Sequence, residues 1–406
     1  MRCTGFAFFG LAFALIAPAQ AARFLDDRVS VNGFGTLGAV YNHHNDAEYI
    51  RDITQEKGPV GGWSGDVDSR LGLQLGWRFD TEFDLVVQGV SRYNQRGNYE
   101  PQLTWAFLRY APDPGLQLRV GRVGLDTYML ADSRDVGYSY LWMRPPVDYY
   151  GIRHLTHLDG VDLVLRRPLG TGLLWGKLYV GLADERIAGE AEGLILDAAG
   201  SRIHGGHINY EQGGWRLQLG ATELRYRFSA PSGYHAEIRE LENLAQSPFL
   251  SAEMRSALLI TAALMRDIVK PVNVRLSSVG VAYDQGPFQA QAMLGYTNRP
   301  EKEFDTTSAF ATVGYRLRQV TPYITLSLSH TDGVRLRDLG LPLEGTFGVT
   351  QRTLSLGARY DFATNLAAKT QFDLVDVRQT GLLWRRADPS WQGTATIFSL
   401  GLDFIF

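Results

Sequence analysis

The stretch FSLGLDFIF, residues 398–406, has the pattern of a β-strand with two different faces. Large apolar residues occupy every second position from Phe398 to Phe406, and mostly small or polar residues lie between them. A period of two predicts a strand with one apolar and one polar face. Such strands occur half-buried in soluble sheets, and also in membrane barrels, where lipid contacts one side and the lumen the other. The rest of the chain has to decide between the two.

Strand-like segments continue through the whole chain and number sixteen. In the segment 66–79, an apolar face from Leu71 to Phe79 alternates with a polar face that carries Arg70 and Gln74. The predicted strands are 29–43, 66–79, 82–93, 102–111, 116–123, 158–167, 172–183, 201–212, 214–228, 272–285, 287–299, 304–318, 320–332, 350–362, 365–378 and 392–406.

The connections between these strands alternate in length. Every second one is a tight link rich in turn residues, such as Asp80-Thr81, Gly213 and Gly286. The others are mostly long: 44–65, 94–101, 124–157, 184–200, 229–271, 300–303, 333–349 and 379–391. Bacterial outer-membrane barrels have short periplasmic turns and long outer loops, whereas a soluble sandwich has little reason to keep this alternation.

Composition agrees with an exported barrel. The mean hydropathy is −0.14, and after residue 21 there is no apolar run of the twenty residues that a membrane-spanning helix needs. The formal net charge of −3 argues against nucleic-acid binding. The single cysteine, Cys3, lies in the first segment of the chain, so disulfides do not stabilise the rest.

Residues 1–21 have the features of a secretory signal peptide. Arg2 supplies the positive charge, Phe6 to Ala17 form the apolar run, and Ala19-Gln20-Ala21 form a small-residue cleavage site. We expect export through the periplasm and a mature chain of residues 22–406.

The sequence therefore predicts an all-β, sixteen-stranded antiparallel transmembrane β-barrel in the cell outer membrane. The last strand is expected to pair with the first, because closure leaves no strand edge unsatisfied in lipid. Phe406 is then expected at the periplasmic lipid interface and Asp403 in the lumen. A strand that ends in an aromatic residue also resembles the assembly signal of outer-membrane barrels, which assigns that role to Phe406.

The stretches VNGFGTLGAVYN (31–42) and SRLGLQLGWRF (69–79) lie in the first two predicted strands, and VGR (120–122) lies at the end of the fifth. They resemble the corresponding strands of the Gram-negative general porin family. The layout of strands and loops resembles that family over nearly the whole mature chain. The resemblance implies that the third outer loop, 124–157, folds inward to narrow the channel. It also implies a homotrimer that contacts outer-membrane lipid and lipopolysaccharide, and assembly by the barrel assembly machinery. The chain departs from the family in lacking a Pro-Glu-Phe-Gly-Gly type of motif and in having a larger fifth outer loop, 229–271.

Charged residues on both sides of the predicted lumen are the candidate constriction. The loop supplies Asp126, Asp132 and Asp135, and rings of opposed charge filter solutes by size and charge. The wall supplies arginines that face the lumen by alternation: Arg70, Arg92, Arg109 and Arg119. Alternation places Arg122 on the lipid face, the family resemblance places it in the pore, and a bulge would reconcile the two. The alternative is that the loop lies on the outer surface with its charges solvated.

The fifth outer loop is predicted to contain a helical hairpin at 234–269, outside the barrel. Its first helix runs from Tyr234 to Ala245, and Ser247-Pro248 is predicted to break it as an N-cap followed by proline. The hairpin could cover the mouth, contact a partner or a neighbouring subunit, or pack only on itself.

The function predicted first is a porin that passes small hydrophilic solutes and ions by passive diffusion, without a cofactor. The alternative is a substrate-specific outer-membrane channel. A barrel enzyme is less consistent with the sequence, because it needs a nucleophile and a base held together, and we find no motif for either. His154-x-x-His157 and His204-x-x-His207 do not predict a metal site, since residues three apart on a strand point to opposite faces.

Overall fold

The computed structural model describes residues 22–24, 28–153, 155–188, 195–230, 232–300, 305–335, 346–378, 383–388 and 390–406. Sixteen long strands form a closed antiparallel barrel, as predicted. The strands are β1 (Val29–Asn42), β2 (Arg70–Arg78), β3 (Phe83–Arg92), β4 (Gln102–Asp113), β5 (Leu116–Gly124), β6 (His157–Leu169), β7 (Gly172–Ala183), β8 (Ser201–Gln212), β9 (Trp215–Tyr226), β10 (Val272–Gln285), β11 (Phe288–Asn298), β12 (Thr306–Tyr315), β13 (Val320–Arg335), β14 (Thr346–Ala363), β15 (Leu366–Arg378) and β16 (Thr394–Ile405). The predicted signal peptide, 1–21, lies outside the described residues.

The connections contain the remaining elements. Three α-helices are α1 (Val147–Tyr150), α2 (Tyr234–Ala245) and α3 (Ala252–Ile268), and a 3-10 turn covers Gly137–Ser139. Short strands are Ala22–Phe24, Glu48–Tyr49, Gly62–Ser64, Arg186–Ala188, Ile195–Asp197 and Trp384–Arg385. Within the described part of the chain, neither of the longer helices combines the length and apolar character required to cross a bilayer.

The barrel closes by pairing β16 with β1, from Phe34 opposite Ile405 to Asn42 opposite Ile397. The pairing continues to Phe406, whose N–H donates to the Gly33 carbonyl at 2.9 Å and whose carbonyl accepts from the Gly33 N–H at 2.8 Å. The Phe406 ring covers Gly33, where an added Cβ would lie 2.1 Å from the ring. Glycine in the first strand therefore makes room for the aromatic residue of the last.

The two faces of the wall follow the alternation in the sequence. Leu71, Leu73 and Leu75 are exposed on the outside of β2, whereas Arg70 is buried on the lumen side. Aromatic pairs lie on the outer face near the short turns, including Trp77 with Phe79, Trp215 with Tyr283 and Phe288 with Tyr315. Such pairs are typical of the aromatic girdle of a membrane barrel.

The two ends of the barrel differ as predicted. At one end the links are tight and use left-handed backbone, with φ of 60° at Gly170, 54° at Gly213 and 60° at Gly286. At the other end the long loops pack on one another. The Tyr49 ring contacts Trp384 at 5.3 Å between centroids, and the Ala188 N–H donates to the Ile53 carbonyl at 3.1 Å.

The fifth outer loop is helical, as predicted, and its two helices pack against each other through Tyr234, Ile238 and Ala262. One detail of the prediction was wrong. The N-cap of α3 is Ser251, whose hydroxyl accepts from the Met254 N–H at 3.2 Å, and not Ser247. The first helix ends at Ala245, and a turn separates Ser247 from the second helix.

Candidate functional site

The third outer loop lies inside the barrel, so the prediction of an inward fold is confirmed. Most residues between Leu125 and Tyr150 are buried, and their partners are lumen-facing side chains from strands all around the wall. The loop therefore defines the shape of the lumen, and each of its anchors can be described separately.

The first anchor lies where the loop leaves β5. The Thr127 hydroxyl is 2.7 Å from the Tyr179 hydroxyl of β7 and 2.7 Å from the Thr222 hydroxyl of β9. The Ser278 hydroxyl of β10 donates to the Thr127 carbonyl at 2.9 Å. One threonine thus ties the loop to three strands.

Asp126, which precedes Thr127 in the chain, belongs to a buried cluster of charged and titratable side chains. Its carboxylate accepts from Lys177 Nζ at 2.7 Å and lies 3.1 Å from His207 Nε2. Burial disfavours the charged form, but Lys177 and His207 outweigh burial and hold the pKa of Asp126 below its usual range. Lys177 also lies 3.1 Å from Asp162 of β6. The carboxylate is therefore an ionised anchor of the loop.

The middle of the loop crosses to the opposite wall. Trp142 Nε1 donates to the Thr312 hydroxyl of β12 at 2.9 Å and to the Thr325 hydroxyl of β13 at 3.0 Å. Lys369 of β15 donates to the carbonyls of Gly137, Tyr140 and Trp142 at 2.7, 2.7 and 2.8 Å. A single buried lysine thus donates to three backbone carbonyls of the loop.

Arg144 is an anchor whose side chain is fully buried. Its guanidinium donates to Asp68 at 2.6 Å, to Asp373 of β15 at 3.1 Å and to the Ser399 hydroxyl of β16 at 2.5 Å. It also donates to the Tyr49 hydroxyl at 3.3 Å. Arg144 is the nearest cation to two buried carboxylates, since Arg51 lies 3.9 Å from Asp68, and the anchor is therefore costly to break.

Helix α1 completes the attachment through Asp148. This carboxylate accepts short hydrogen bonds from Ser327 of β13 and Gln351 of β14. Burial raises the pKa of Asp148, and the hydrogen bonds from the wall work against that rise.

Arg70 and Arg92 are cross-strand neighbours on the lumen side of β2 and β3. Arg70 Nη2 donates to the Tyr140 hydroxyl of the loop at 2.5 Å. Arg92 Nη1 lies 3.5 Å from the Asp135 carboxylate of the loop and 3.5 Å from Asp52 of the first outer loop. Burial opposes the charge of Asp135, and Arg92 outweighs it, so the pKa of Asp135 lies below its usual value. The structure brings these predicted site residues together.

Arg109 and Arg119 are paired with wall carboxylates instead. Arg109 Nε donates to Asp84 at 2.7 Å, and Arg119 Nε donates to Asp162 at 2.8 Å. Both arginines face the lumen, as alternation predicts, and are half-buried. Their charges are partly balanced within the wall itself.

Arg122 lies on the outer face of the barrel. It pairs with Asp159 at 2.7 Å and with Asp184 at 2.6 Å, both near the outer ends of their strands. It sits opposite Ala106 in regular register, so the bulge that would turn it inward is not formed between β4 and β5. The alternation of residues along β5 therefore predicted the outer face correctly, whereas the family resemblance placed Arg122 in the pore.

Asp132 differs from the other loop acids because its side chain is exposed although it lies inside the barrel. The surrounding protein and the nearby Asp126 carboxylate raise the pKa of Asp132, and Lys177 and Arg119 oppose that rise. Asp132 is thus a carboxylate that meets water in the lumen close to a cationic wall.

Four anchors were missed by the sequence reasoning: Arg144, Lys177, His207 and Lys369. Alternation along β7, β8 and β15 would place the last three on the lumen side, where a buried charge calls for a partner. No comparable signal marks Arg144, which stands in an irregular stretch between Met143 and Pro145.

A cavity of about 810 Å³ opens below the loop, towards the short turns. The loop lines it with Leu130, Leu141 and Trp142, and the wall lines it with polar side chains that include Glu211 and Gln291. The loop therefore presents several large apolar side chains to a chamber with a mixed polar and apolar lining.

Solved structures with the same architecture include two porins and another outer-membrane channel. An anion-selective porin from Comamonas acidovorans matches at a TM-score of 0.52 and 15% identity, covering 93% of this chain and 100% of its own. OmpF of Salmonella typhi, in complex with daunomycin, matches at 0.55 and 12%, covering 95% and 100%. The channel DcaP of Acinetobacter baumannii matches at 0.55 and 11%, covering 95% and 100%.

No family model and no curated protein matches this chain. The structural likenesses show the fold, which is a porin-like β-barrel of the outer membrane.

Proposed function

We propose that this protein is an outer-membrane porin that passes small hydrophilic solutes and ions by passive diffusion through a constriction formed by the third outer loop. The observation that carries the proposal is Asp132, an exposed carboxylate on a loop that is mostly buried in the lumen. Charged groups that face water across a narrow gap act on every ion that passes.

The wall opposite this loop supports the proposal. Polar side chains face the lumen on β2 to β5, and they include the half-buried Gln74 and Arg119 and the buried Gln88. A water-filled path needs such a lining, because a packed apolar core would exclude water. The proposal includes no catalytic step and no cofactor.

A substrate-specific channel is the second candidate. Arg70 is 4% exposed, and its Nε and Nη1 atoms are buried without hydrogen-bond partners in the described part of the chain. Buried guanidinium donors favour a solute that brings its own acceptor, such as a carboxylate. Specific binding would then slow that solute at the constriction.

The expected assembly is a homotrimer inserted by the barrel assembly machinery, with Phe406 acting as its assembly signal. Support for the trimer comes from an outer membrane protein of Vibrio cholerae, solved in a trimer form, which matches at a TM-score of 0.50 and 10% identity. The predicted signal peptide is expected to direct export of the chain to the periplasm before this assembly.

The test is ion conductance across planar bilayers that contain the purified barrel, with the reversal potential measured across a salt gradient. Asp132→Lys should move selectivity towards anions, and Arg70→Glu should move it towards cations, because each reverses one charge in the lumen. Glu253→Gln, an exposed change in the helical hairpin, is the matched control and should leave selectivity unchanged.

A barrel that gives no conductance would contradict the porin. A reversal potential that does not respond to Asp132→Lys would contradict the constriction. Saturable block of the current by one solute in a panel, lost in Arg70→Glu, would favour the substrate-specific channel over general diffusion.

A further inference from the structure

The cavity below the third loop is lined on its loop side by a leucine with an unfavourable backbone conformation. Leu130 has φ of 63°, in the left-handed region where the Cβ of a leucine comes too close to the following carbonyl oxygen. Hydrogen bonds on both sides hold it there. The Met129 carbonyl accepts from the Tyr150 hydroxyl at 2.7 Å, and the Ala131 N–H donates to the Tyr128 carbonyl at 3.2 Å. Backbone strain of this kind persists only where the surrounding structure maintains it, and it is frequent at ligand sites.

The side chain of Leu130 is only partly covered. It packs against the buried aromatic cluster of the loop, which includes Tyr128 and Tyr150, and it also lines the cavity beside Leu141. Leu130 is half-buried, so part of its surface stays exposed towards the cavity. The strained turn therefore displays an apolar side chain in a lumen that is otherwise suited to water.

The wall of the cavity is one row of lumen-facing residues on six neighbouring strands. Cross-strand register aligns them in the order Leu173 (β7), Glu211 (β8), Arg216 (β9), Ala282 (β10), Gln291 (β11) and Thr312 (β12). Leu173 and Ala282 are half-buried and apolar, although the interior of a membrane barrel is usually polar. Ala282 packs against the same aromatic cluster as Leu130. The apolar surface of the loop thus continues onto the wall.

The charged residues of the cavity are balanced by their neighbours. Glu211 pairs with Arg216 at 2.8 Å and accepts from Trp175 Nε1 at 3.0 Å. Asp284, nearer to the short turn, pairs with Arg316 at 2.7 Å. The cavity therefore offers hydrogen-bonding atoms without a large net charge, which favours an uncharged ligand.

Gln291 offers an amide group to the cavity. Among the residues that the structure describes, its Nε2 atom has a weak partner, Met129 Sδ at 3.9 Å, because a thioether is a poor acceptor. The side chain is half-buried and lies opposite Ala282. Gln291 can therefore hydrogen-bond to a ligand whose apolar part lies beside Leu130.

We propose that this cavity binds an uncharged solute that combines an aromatic ring with hydroxyl groups, such as an aryl glycoside. The ring lies against the exposed parts of Leu130 and Leu173, and the hydroxyl groups exchange hydrogen bonds with Gln291 and with the pair of Glu211 and Arg216. A volume of about 810 Å³ lies in the range of small-molecule sites, which combine apolar surface with a few placed polar groups.

This substrate class rests on the proposed channel function and makes it more specific. The residues that line the cavity do not include Arg70, the candidate contact for a carboxylate. An uncharged aryl glycoside and a carboxylate are therefore expected to respond to different substitutions.

The experiment measures binding of phenyl β-glucoside to the full-length barrel in lipid nanodiscs by isothermal titration calorimetry, with empty nanodiscs as the blank. The parent should bind it on the order of tenfold more tightly than methyl β-glucoside, which lacks the ring. Leu130→Asn should remove most of this preference, because asparagine tolerates left-handed backbone and replaces the apolar contact by a polar one. Leu259→Asn, the same change at an exposed position of the helical hairpin, should bind like the parent.

Gln291→Met tests the polar half of the site. It removes the amide while keeping a side chain of similar length, so it should weaken both glucosides by a similar factor. A variant that loses only phenyl β-glucoside would show that Gln291 does not contact the hydroxyl groups, and would overturn that assignment.

Single-channel current in planar bilayers separates the site from the channel. Phenyl β-glucoside should block the current of the parent, and Leu130→Asn should relieve the block. A conducting barrel that shows no preference for phenyl β-glucoside would overturn the proposal and leave the channel function intact. A barrel that binds it but conducts no current would support the site and overturn the channel.

Two other results would overturn the proposed ligand class. They are tighter binding of benzoate, which carries a charge, than of phenyl β-glucoside, and an equal loss of binding in Leu130→Asn and Leu259→Asn. Each variant is scored only as folded barrel, identified by its slower-unfolding band in unheated gels.

Discussion

The third and fifth outer loops are both long, and they take opposite positions. The third enters the barrel and is buried against strands around the whole wall, whereas the fifth stays outside as a helical hairpin that packs on itself. The difference lies in what each loop offers to its surroundings. Residues 125–150 carry single charges and hydrogen-bonding side chains that meet complementary groups in the lumen.

The hairpin pairs its backbone hydrogen-bonding groups and covers its apolar side chains within itself. Helices complete their own backbone hydrogen bonds, and the apolar faces of α2 and α3 cover each other through Tyr234, Ile238 and Ala262. An ion pair between Arg266 and Glu242, at 2.6 Å, joins the two helices at the surface. The comparison indicates that a loop enters a barrel when its polar groups lack partners of their own.

The largest difference in the free energy of unfolding between the two loops is expected when one cationic side chain is removed from each. Arg144→Ala should lower the free energy of unfolding by about 3–5 kcal/mol, because Asp373 loses its buried cation and Asp68 keeps only the more distant Arg51, at 3.9 Å. Arg266→Ala should cost less than about 1 kcal/mol, because its side chain is 55% exposed and the pair is screened by solvent. Urea titration of the folded barrel in lipid vesicles measures both. Equal losses in the two variants would show that the inward loop is no better anchored than the hairpin.

An intermediate effect is expected from the charge at the start of the third loop. Asp126→Asn should cost about 1–3 kcal/mol at pH 7, because Lys177 and His207 lose a charged partner. The folded pKa of Asp126 lies below the unfolded value of about 3.9, so its contribution is complete above that pH and is lost as the pH falls towards the folded pKa. The stability gap between parent and variant should therefore narrow below about pH 4.

Urea titrations at pH 7 and pH 3 test this, with Glu253→Gln of the hairpin as the control that should show no gap at either pH. A gap that is constant between pH 7 and pH 3 would mean that Asp126 acts without its charge.

The smallest effect is expected from removing the hairpin altogether. Tyr226 and Val272 are cross-strand partners, so the ends of the loop are already adjacent, and a short Gly-Ser linker can replace residues 232–270 while the backbone pairing of Ser229 with Asp197 is kept. Barrel stability and single-channel conductance should both be unchanged, because neither helix belongs to the wall. Loss of the folded band in unheated gels, or a changed conductance, would show that the hairpin reaches the barrel or its mouth.

The sequence was sufficient for the wall because lipid and water impose a strict period of two. Leu71, Leu73 and Leu75 can face only lipid, so Arg70 and Gln74 must face the lumen, and the tight turns fix where each strand reverses. The same alternation placed Arg122 on the outer face, where it pairs with Asp159. The face on which each of these residues lies depends only on adjacent residues in the same strand, so it can be predicted from the sequence.

The candidate site could be predicted only in part. The acids of the loop and the arginines of the wall are visible as residue types, but their pairing is not. Arg144 meets Asp373, which is 229 positions away, and no local spacing encodes such a contact. Arg109 and Arg119 were predicted to face the loop acids, and they found nearer carboxylates in Asp84 and Asp162. Which partner a charge selects depends on closure of the whole barrel.

The anchors of the third loop have a mechanical consequence. A closed sheet with an empty interior is a thin-walled tube, and such a tube flattens easily when the surrounding membrane presses on it unevenly. Arg144 joins the β2 side of the tube to β15, and Thr127 and Trp142 reach the walls on the far side. The loop therefore connects strands on several sides of the barrel through its interior. We therefore expect the cross-section of the lumen to change little when the bilayer thickens, thins or bends around the barrel.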